Sequence, residues 1–210
     1  MKYLAVDTCG NHLTVISVNG DKKEIFFDED CGVNHSVDIM VRIEEGLNKT
    51  ALNLADLDFI ACAVGPGSFT GIRIGVATVK ALCLAENKKC LPLTSFDILA
   101  YNTTEAKTLA VIDAGHNGFY VCGYDGGKVV LPPSFVFGEK VKELAEEYSV
   151  VSSKPLPLDF FKDGKKIISS ASLKDGFLRA IEIKANRGEI VSAAELNPLY
   201  VRKSQAEEGR

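Results

Sequence analysis

The chain has 210 residues, a formal net charge of −4, 46% apolar residues and 25% charged residues. That length buries one large core or two small ones, the composition is that of an ordinary globular protein, and the charge argues against an autonomous nucleic-acid footprint. No apolar run is long enough to span a bilayer, and the opening MKYLAVDT reaches Asp7 too early for a secretory leader. A cytoplasmic protein with no membrane contact is expected. Cys9, Cys31, Cys62, Cys83, Cys90 and Cys122 form no C-x-x-C pair, so they read as small buried hydrophobes in a reducing compartment and not as zinc ligands.

Residues 2–7 are an apolar run ending in Asp7, a predicted strand. Residues 13–18 and 22–27 flank Asn19-Gly20, a strong hairpin signal, so the chain opens on an antiparallel three-strand meander. Ile39, Ile43 and Leu47 repeat every four residues and predict a helix, with Asn34 or Ser36 as its cap. Residues 59–64 are continuously apolar, as in a strand covered on both faces. A glycine loop follows, then a helix over about 70–86, a short strand near 89–93 and a helix over 95–101.

After the polar connector 102–107 the pattern restarts. Asp7, Asn11, Val15, Gly20 and Lys22 align without gaps onto Asp113, Asn117, Val121, Gly126 and Lys128, which points to an internal duplication. The second half is predicted to hold two or three strands (108–113, 118–124, 128–136) and helices over about 139–148 and 172–185. The boundary is placed at 102/103, with the tail from about 198 to 210 a candidate to pack back on the first half. Two halves of this order predict an α/β protein of the duplicated ribonuclease-H-like fold, the actin-like ATPase or ASKHA class, with the second half shorter. In such folds the opening Asp turns face nucleotide phosphates. Asp7, Thr8 and Asp113 are therefore candidates for a vestigial nucleotide cleft, unless each aspartate merely fixes its own turn.

The loop 64-VGPGSFTGIRIGVATVKAL-82 looks made to hold a phosphate at a helix start. It lacks the lysine of a P-loop and misplaces the third glycine of a dinucleotide fingerprint. The structural alternative is a sharp turn in which Gly65 and Gly67 supply dihedrals, Pro66 stiffens, and Ser68 or Thr70 caps the helix. Gly71 and Gly75, four apart, mark a helix face that another backbone can approach. His12 and His116 lie in the two hairpin turns and read as solvated polar residues. His35 would need a second ligand four residues on to hold a metal, and that residue is Ile39. No nucleophile–histidine–acid constellation is readable.

The same loop, with LAVDT, the His35-Ser36 pair, Ile112-Asp113-Ala114 and the tail NPLYVRKSQAE, strongly resembles the TsaB (YeaZ) family over essentially the whole chain. The resemblance implies a non-catalytic subunit that pairs with its longer paralogue TsaD. With the ATPase TsaE, reached through TsaD, that pair moves threonylcarbamoyl from threonylcarbamoyl-AMP to N6 of adenosine 37 in tRNAs reading codons that begin with A. It implies that ATP and metal belong to the partner subunits, with no cofactor and no metal here, that tRNA is touched only indirectly, and that the chain forms a homodimer when alone. The pairing surface would be the two helices of the first half, with Ile39, Met40, Ile43, Ile72, Arg73, Gly75, Val76, Val79 and Lys80 as candidates. Gly65, Pro66, Gly67, Ser68, Thr70 and Gly71 would set the second of those helices. One departure stands out: Gly115 and Gly118 occupy positions where many members carry arginine and glutamate. The competing classes are an actin-fold ATP-dependent small-molecule kinase and a metallopeptidase-like protein.

Overall fold

The structure, a computed structural model, describes residues 1–156, 168–169 and 173–202. It divides into two compact units, Met1–Ser95 with Ala180–Leu199, and Phe96–Arg179 with the chain from Tyr200. The division thus falls seven residues before the 102/103 boundary expected from the connector. The first unit also takes back Ala180–Leu199, of which the sequence offered only the residues from about 198 as a candidate to pack there. The tail beyond 202, and the loop and helix start that sequence placed over 157–167 and 170–172, lie outside the described residues.

In the first unit β1 (Lys2–Asp7), β2 (Leu13–Asn19) and β3 (Lys22–Asp28) form the expected meander, and β4 (Phe59–Ala63) and β5 (Cys90–Leu93) add in parallel. The sheet order is β3-β2-β1-β4-β5. Every residue of β4 is buried, which is why its sequence does not alternate. Helix α1 (His35–Thr50) packs on β2 and β3, and α2 (Phe69–Ala85) on β1, β4 and β5, with the two helices in contact. Ile39, Ile43 and Leu47 of α1 and Ile72, Val76 and Val79 of α2 are buried against the sheet. Gly46 lets α1 sit close: a Cβ there would lie 3.3 Å from Ser17 Cβ. One turn further on, at the end of the same helix, the Thr50 and Ser17 hydroxyls share a buried 2.6 Å hydrogen bond.

The second unit opens with α3 (Ser95–Ala100), whose first residue still belongs to the first unit. It continues with β6 (Lys107–Gly115), β7 (Gly118–Asp125), β8 (Lys128–Phe137), α4 (Gly138–Leu144), β9 (Ser149–Ser152) and β10 (Ile168–Ser169). Its sheet order, β10-β9-β6-β7-β8, repeats that of the first: three antiparallel strands with the opening strand central, then two parallel ones. The duplication inferred from five aligned residues is therefore a duplication of topology. Sequence undercounted here. Helix α4 ends at Leu144, not near 148, and the four-residue β9 follows at once. Val150 and Val151 carry too short an apolar signal for a periodicity argument, yet Val150 joins the core of Leu109, Val111, Phe119, Val121 and Val141. The edge strand β8 accommodates Pro132 and Pro133, residues a central strand would not hold. Helix α5 (Leu173–Asn186) straddles the division between the units.

Candidate functional site

The chemistry-bearing residues of the first unit converge where β1 ends. Asp7 is 4% exposed. Its Oδ1 accepts from Cys9 N–H at 2.8 Å, an Asx turn, and its Oδ2 lies 3.0 Å from His12 Nε2. His12 is therefore not the solvated turn residue expected from sequence. It is largely buried, stacks on Phe27 at 5.7 Å and forms an ion pair with Asp7. Burial pushes the Asp7 carboxyl up, but the His12 charge and hydrogen bond with the Cys9 amide outweigh it and hold the group below its usual value. Burial likewise pushes His12 down, and the Asp7 carboxylate outweighs that, leaving the imidazole above its usual value. His35 sits beneath: its Nε2 donates to the His12 carbonyl at 3.0 Å, tying the start of α1 to the turn. Asn34 caps α1 only in position, with no side-chain bond.

The glycine loop packs on the same corner. Ser68 caps α2 by accepting from Gly71 N–H at 3.2 Å, and Ser68 N–H donates to Cys9 O at 2.7 Å. Two amides that could have met an anion are thus used inside the fold. Thr8 is fully buried, and its hydroxyl donates to Gly71 O at 2.7 Å. A Cβ at Gly67 would sit 2.1 Å from Cys9 O, one at Gly71 2.0 Å from Thr8 O, and one at Gly75 2.4 Å from Thr8 Oγ1. The close backbone approach predicted for the Gly71/Gly75 face is real, but the backbone is this chain's own Thr8–Cys9 corner. Gly65 has φ +102, its carbonyl accepts from Ser95 N–H at 2.8 Å, and buried Pro66 follows it through a cis bond. Thr70 lies exposed in the first turn.

The helix residues separate by burial. Ile39, Ile43, Ile72, Gly75, Val76 and Val79 are inside, so these pairing candidates are core. Lys80 is also reassigned: its Nζ donates to Leu196 O at 3.1 Å and Ala194 O at 3.5 Å, holding the returning segment. Met40 is 49% exposed, and Arg73 is exposed with its guanidinium 3.8 Å over the Phe69 ring. Around these stand residues the sequence argument missed. Val37 (68%), Val41 (50%), Phe69 (40%) and Leu84 (67%) are exposed. The outer stripe of α2 reads Phe69, Arg73, Ala77, Ala81, Leu84, with a single charge. The available signal was a second apolar row on α1, Val37-Met40-Val41, offset from Ile39-Ile43.

In the second unit Asp113 makes the equivalent Asx turn, Oδ1 to Gly115 N–H at 2.8 Å, but it is exposed and has no histidine like His12. Both unusual glycines have local reasons. Gly115 has φ +77, and a Cβ at Gly118 would lie 2.6 Å from the Phe135 ring. Among the described residues no group of three or more His, Cys, Asp or Glu could hold a metal, and no helix is long and apolar enough to cross a membrane.

Two sheets of one order, each opened by a strand ending in an Asx-turn aspartate, define a duplicated ribonuclease-H-like protein of the actin-like class. The family model described as TsaD: tRNA N6-adenosine threonylcarbamoyltransferase matches residues 28–181. The tRNA threonylcarbamoyladenosine biosynthesis protein TsaB of Escherichia coli (strain K12) is 25% identical, over 98% of this chain and 96% of that protein. Its namesake in Bacillus subtilis (strain 168) is 33% identical over 49% of this chain and 44% of that protein, so that match spans under half of the relative. The solved YeaZ from Pseudomonas aeruginosa shares the fold, with a TM-score of 0.81 at 22% identity over 95% of this chain and 100% of that one. The chain belongs to this family, on its TsaB (YeaZ) branch.

Proposed function

We propose that the chain is a non-catalytic subunit of tRNA threonylcarbamoyladenosine biosynthesis, acting by pairing with a TsaD-type transferase through the outer faces of α1 and α2. The observation that carries this is the commitment of Asp7. The carboxylate that a kinase of this fold would offer to a magnesium nucleotide is buried, bonded to Cys9 N–H and ion-paired with His12. Thr8 and the loop amides are spent in the same way. The exposed apolar residues Val37, Met40, Val41 and Leu84 supply the kind of surface that pairing requires. ATP and metal then belong to the partner subunits, TsaE is engaged through TsaD, tRNA is met indirectly, and the same surface serves a homodimer when the chain is alone, in a cytoplasmic setting. Changing Gly65 and Gly67 to alanine would disturb folding or pairing and not nucleotide affinity.

The deciding experiment reconstitutes threonylcarbamoyl transfer to tRNA from TsaD, TsaE and the threonylcarbamoyl adenylate, with and without this chain. Modified adenosine is expected only when the chain is present, and none from the chain alone. Product that is indifferent to its omission would overturn the reading and send the isolated protein to an ATP-hydrolysis assay.

A further inference from the structure

The chain carries its sulfur in six cysteines and two methionines, Met1 and Met40. All six thiols are buried. Cys31, the nearest of them to Met40 in sequence, is 6% exposed, and its Sγ reaches Asp38 Oδ2 at 3.7 Å. Both methionines are exposed, Met40 by 49%. Burial thus shields the thiols, ordinarily the more reactive sulfur, and leaves the thioethers to meet an oxidant first.

Met1 ends the chain, whereas Met40 stands within a surface. Helix α1 buries Ile39 and Ile43 and sets Met40 in its outer row with Val37 and Val41. Ser36, Val37 and Glu44 are its neighbours three and four residues away on the outward side of the helix, and all three are exposed. An apolar row of this kind pairs by shedding water. A thioether suits that task, being apolar and adaptable. A sulfoxide does not, because pairing would bury its oxygen without a partner.

We propose that Met40 is an oxidation switch on the pairing surface: hydroperoxides convert its thioether to the sulfoxide, and the chain then binds its TsaD-type partner less tightly. This rests on the pairing through α1 and α2 proposed above. The sulfur lone pair attacks one oxygen of the hydroperoxide. An S–O bond forms and the O–O bond breaks. The other oxygen leaves with the peroxide proton, as water from hydrogen peroxide or as an alcohol from an alkyl hydroperoxide. Sulfur is oxidised and the peroxide is reduced. A methionine sulfoxide reductase reverses the step, its thiols going to a disulfide and the oxygen to water.

The full chain is treated with hydrogen peroxide, cleared of it with catalase, and titrated by calorimetry into untreated TsaD. Trypsin places Met40 in the peptide 24–42, apart from Met1, with Cys31 as its other sulfur. Blocking Cys31 with N-ethylmaleimide in denaturant lets mass spectrometry locate the added oxygen. Expected are an oxygen on Met40, an unchanged melting curve by circular dichroism, and an affinity about tenfold lower, from one polar group buried unpaired. Treatment with methionine sulfoxide reductase restores the affinity. In Met40→Leu, whatever its own affinity, peroxide changes nothing. In the preformed pair Met40 takes up oxygen more slowly than in the free chain. Oxygen on the cysteines in place of Met40 overturns the site. An oxidised chain that binds as the untreated one does, an affinity lost together with the fold, or a Met40→Leu chain that loses affinity on treatment overturns the switch while leaving the pairing intact. An untreated chain that does not bind TsaD overturns the pairing itself and the switch with it.

Discussion

Replacing Gly71 by alanine ought, on helix propensity alone, to stabilise α2 by about 1 kcal/mol. The structure reverses the sign. The new methyl would stand 2.0 Å from Thr8 O, where ordinary carbon contacts need roughly 3.5 Å, so helix and corner must part by more than an ångström. That separation strains a close-packed contact, for about 1–3 kcal/mol. It also stretches the buried Thr8 hydroxyl bond to Gly71 O, 2.7 Å in the native fold, for about 1–3 kcal/mol more. After the propensity gain, the net loss is about 1–5 kcal/mol. With urea slopes of about 1–3 kcal/mol/M, the unfolding midpoint falls by roughly 1–2 M, followed by far-UV circular dichroism. Gly126→Ala, where the backbone is left-handed but a Cβ meets nothing within 4 Å, serves as the comparison and loses only about 1 kcal/mol. A Gly71→Ala midpoint equal to or above that of the parent refutes the packing argument for the loop.

The Asp7–His12 pair makes stability pH-dependent at both ends. Asp7 is depressed in the fold, so its contribution is present above the unfolded carboxyl value of about 4 and is lost as pH falls through the folded one. His12 is raised, so its contribution is complete below about 6.5 and is lost as pH climbs through the folded value. The stability difference between the parent and His12→Gln, from urea midpoints across pH, is expected to peak between about pH 4 and 6.5; a flat difference rules out the ion pair. Asp7→Ala strands a buried imidazolium and is expected to cost about 3–5 kcal/mol. Asp113→Ala, in an exposed turn, costs under about 1 kcal/mol by the same assay. On the helices, Met40→Glu and Leu84→Glu leave thermal stability within about 0.5 kcal/mol yet weaken pairing with a TsaD-type partner at least tenfold by calorimetry. Ile39→Ala destabilises the chain itself by about 2–5 kcal/mol.

Local chemistry was legible wherever a signal sat within a few residues of its consequence. The Asn19-Gly20 hairpin, the uniform burial of β4, the Ser68 cap and the Asp-x-x turns each follow from neighbours in the chain. So does the split of α1 into two apolar rows, though which row faces the sheet does not: Ile39 and Val37 differ in the sheet they meet or miss, not in kind. β9 was invisible because four residues cannot declare a period, and only pairing with β6 makes them a strand.

The two aspartates show most plainly where sequence ends. Asp7 and Asp113 stand in matching turns of matching sheets, and sequence determined that much, because an Asx bond reaches two residues. That Asp7 is sealed and paired while Asp113 lies open was decided by the tertiary structure. His12 folds back over one turn, Gly67 of the loop and Gly71 and Gly75 of α2 press on Thr8 and Cys9, and Gly118 leaves the other turn to the Phe135 ring. Burial sets the cost of an unpaired charge, and burial is a sum over residues distant in the chain; no window of sequence contains it.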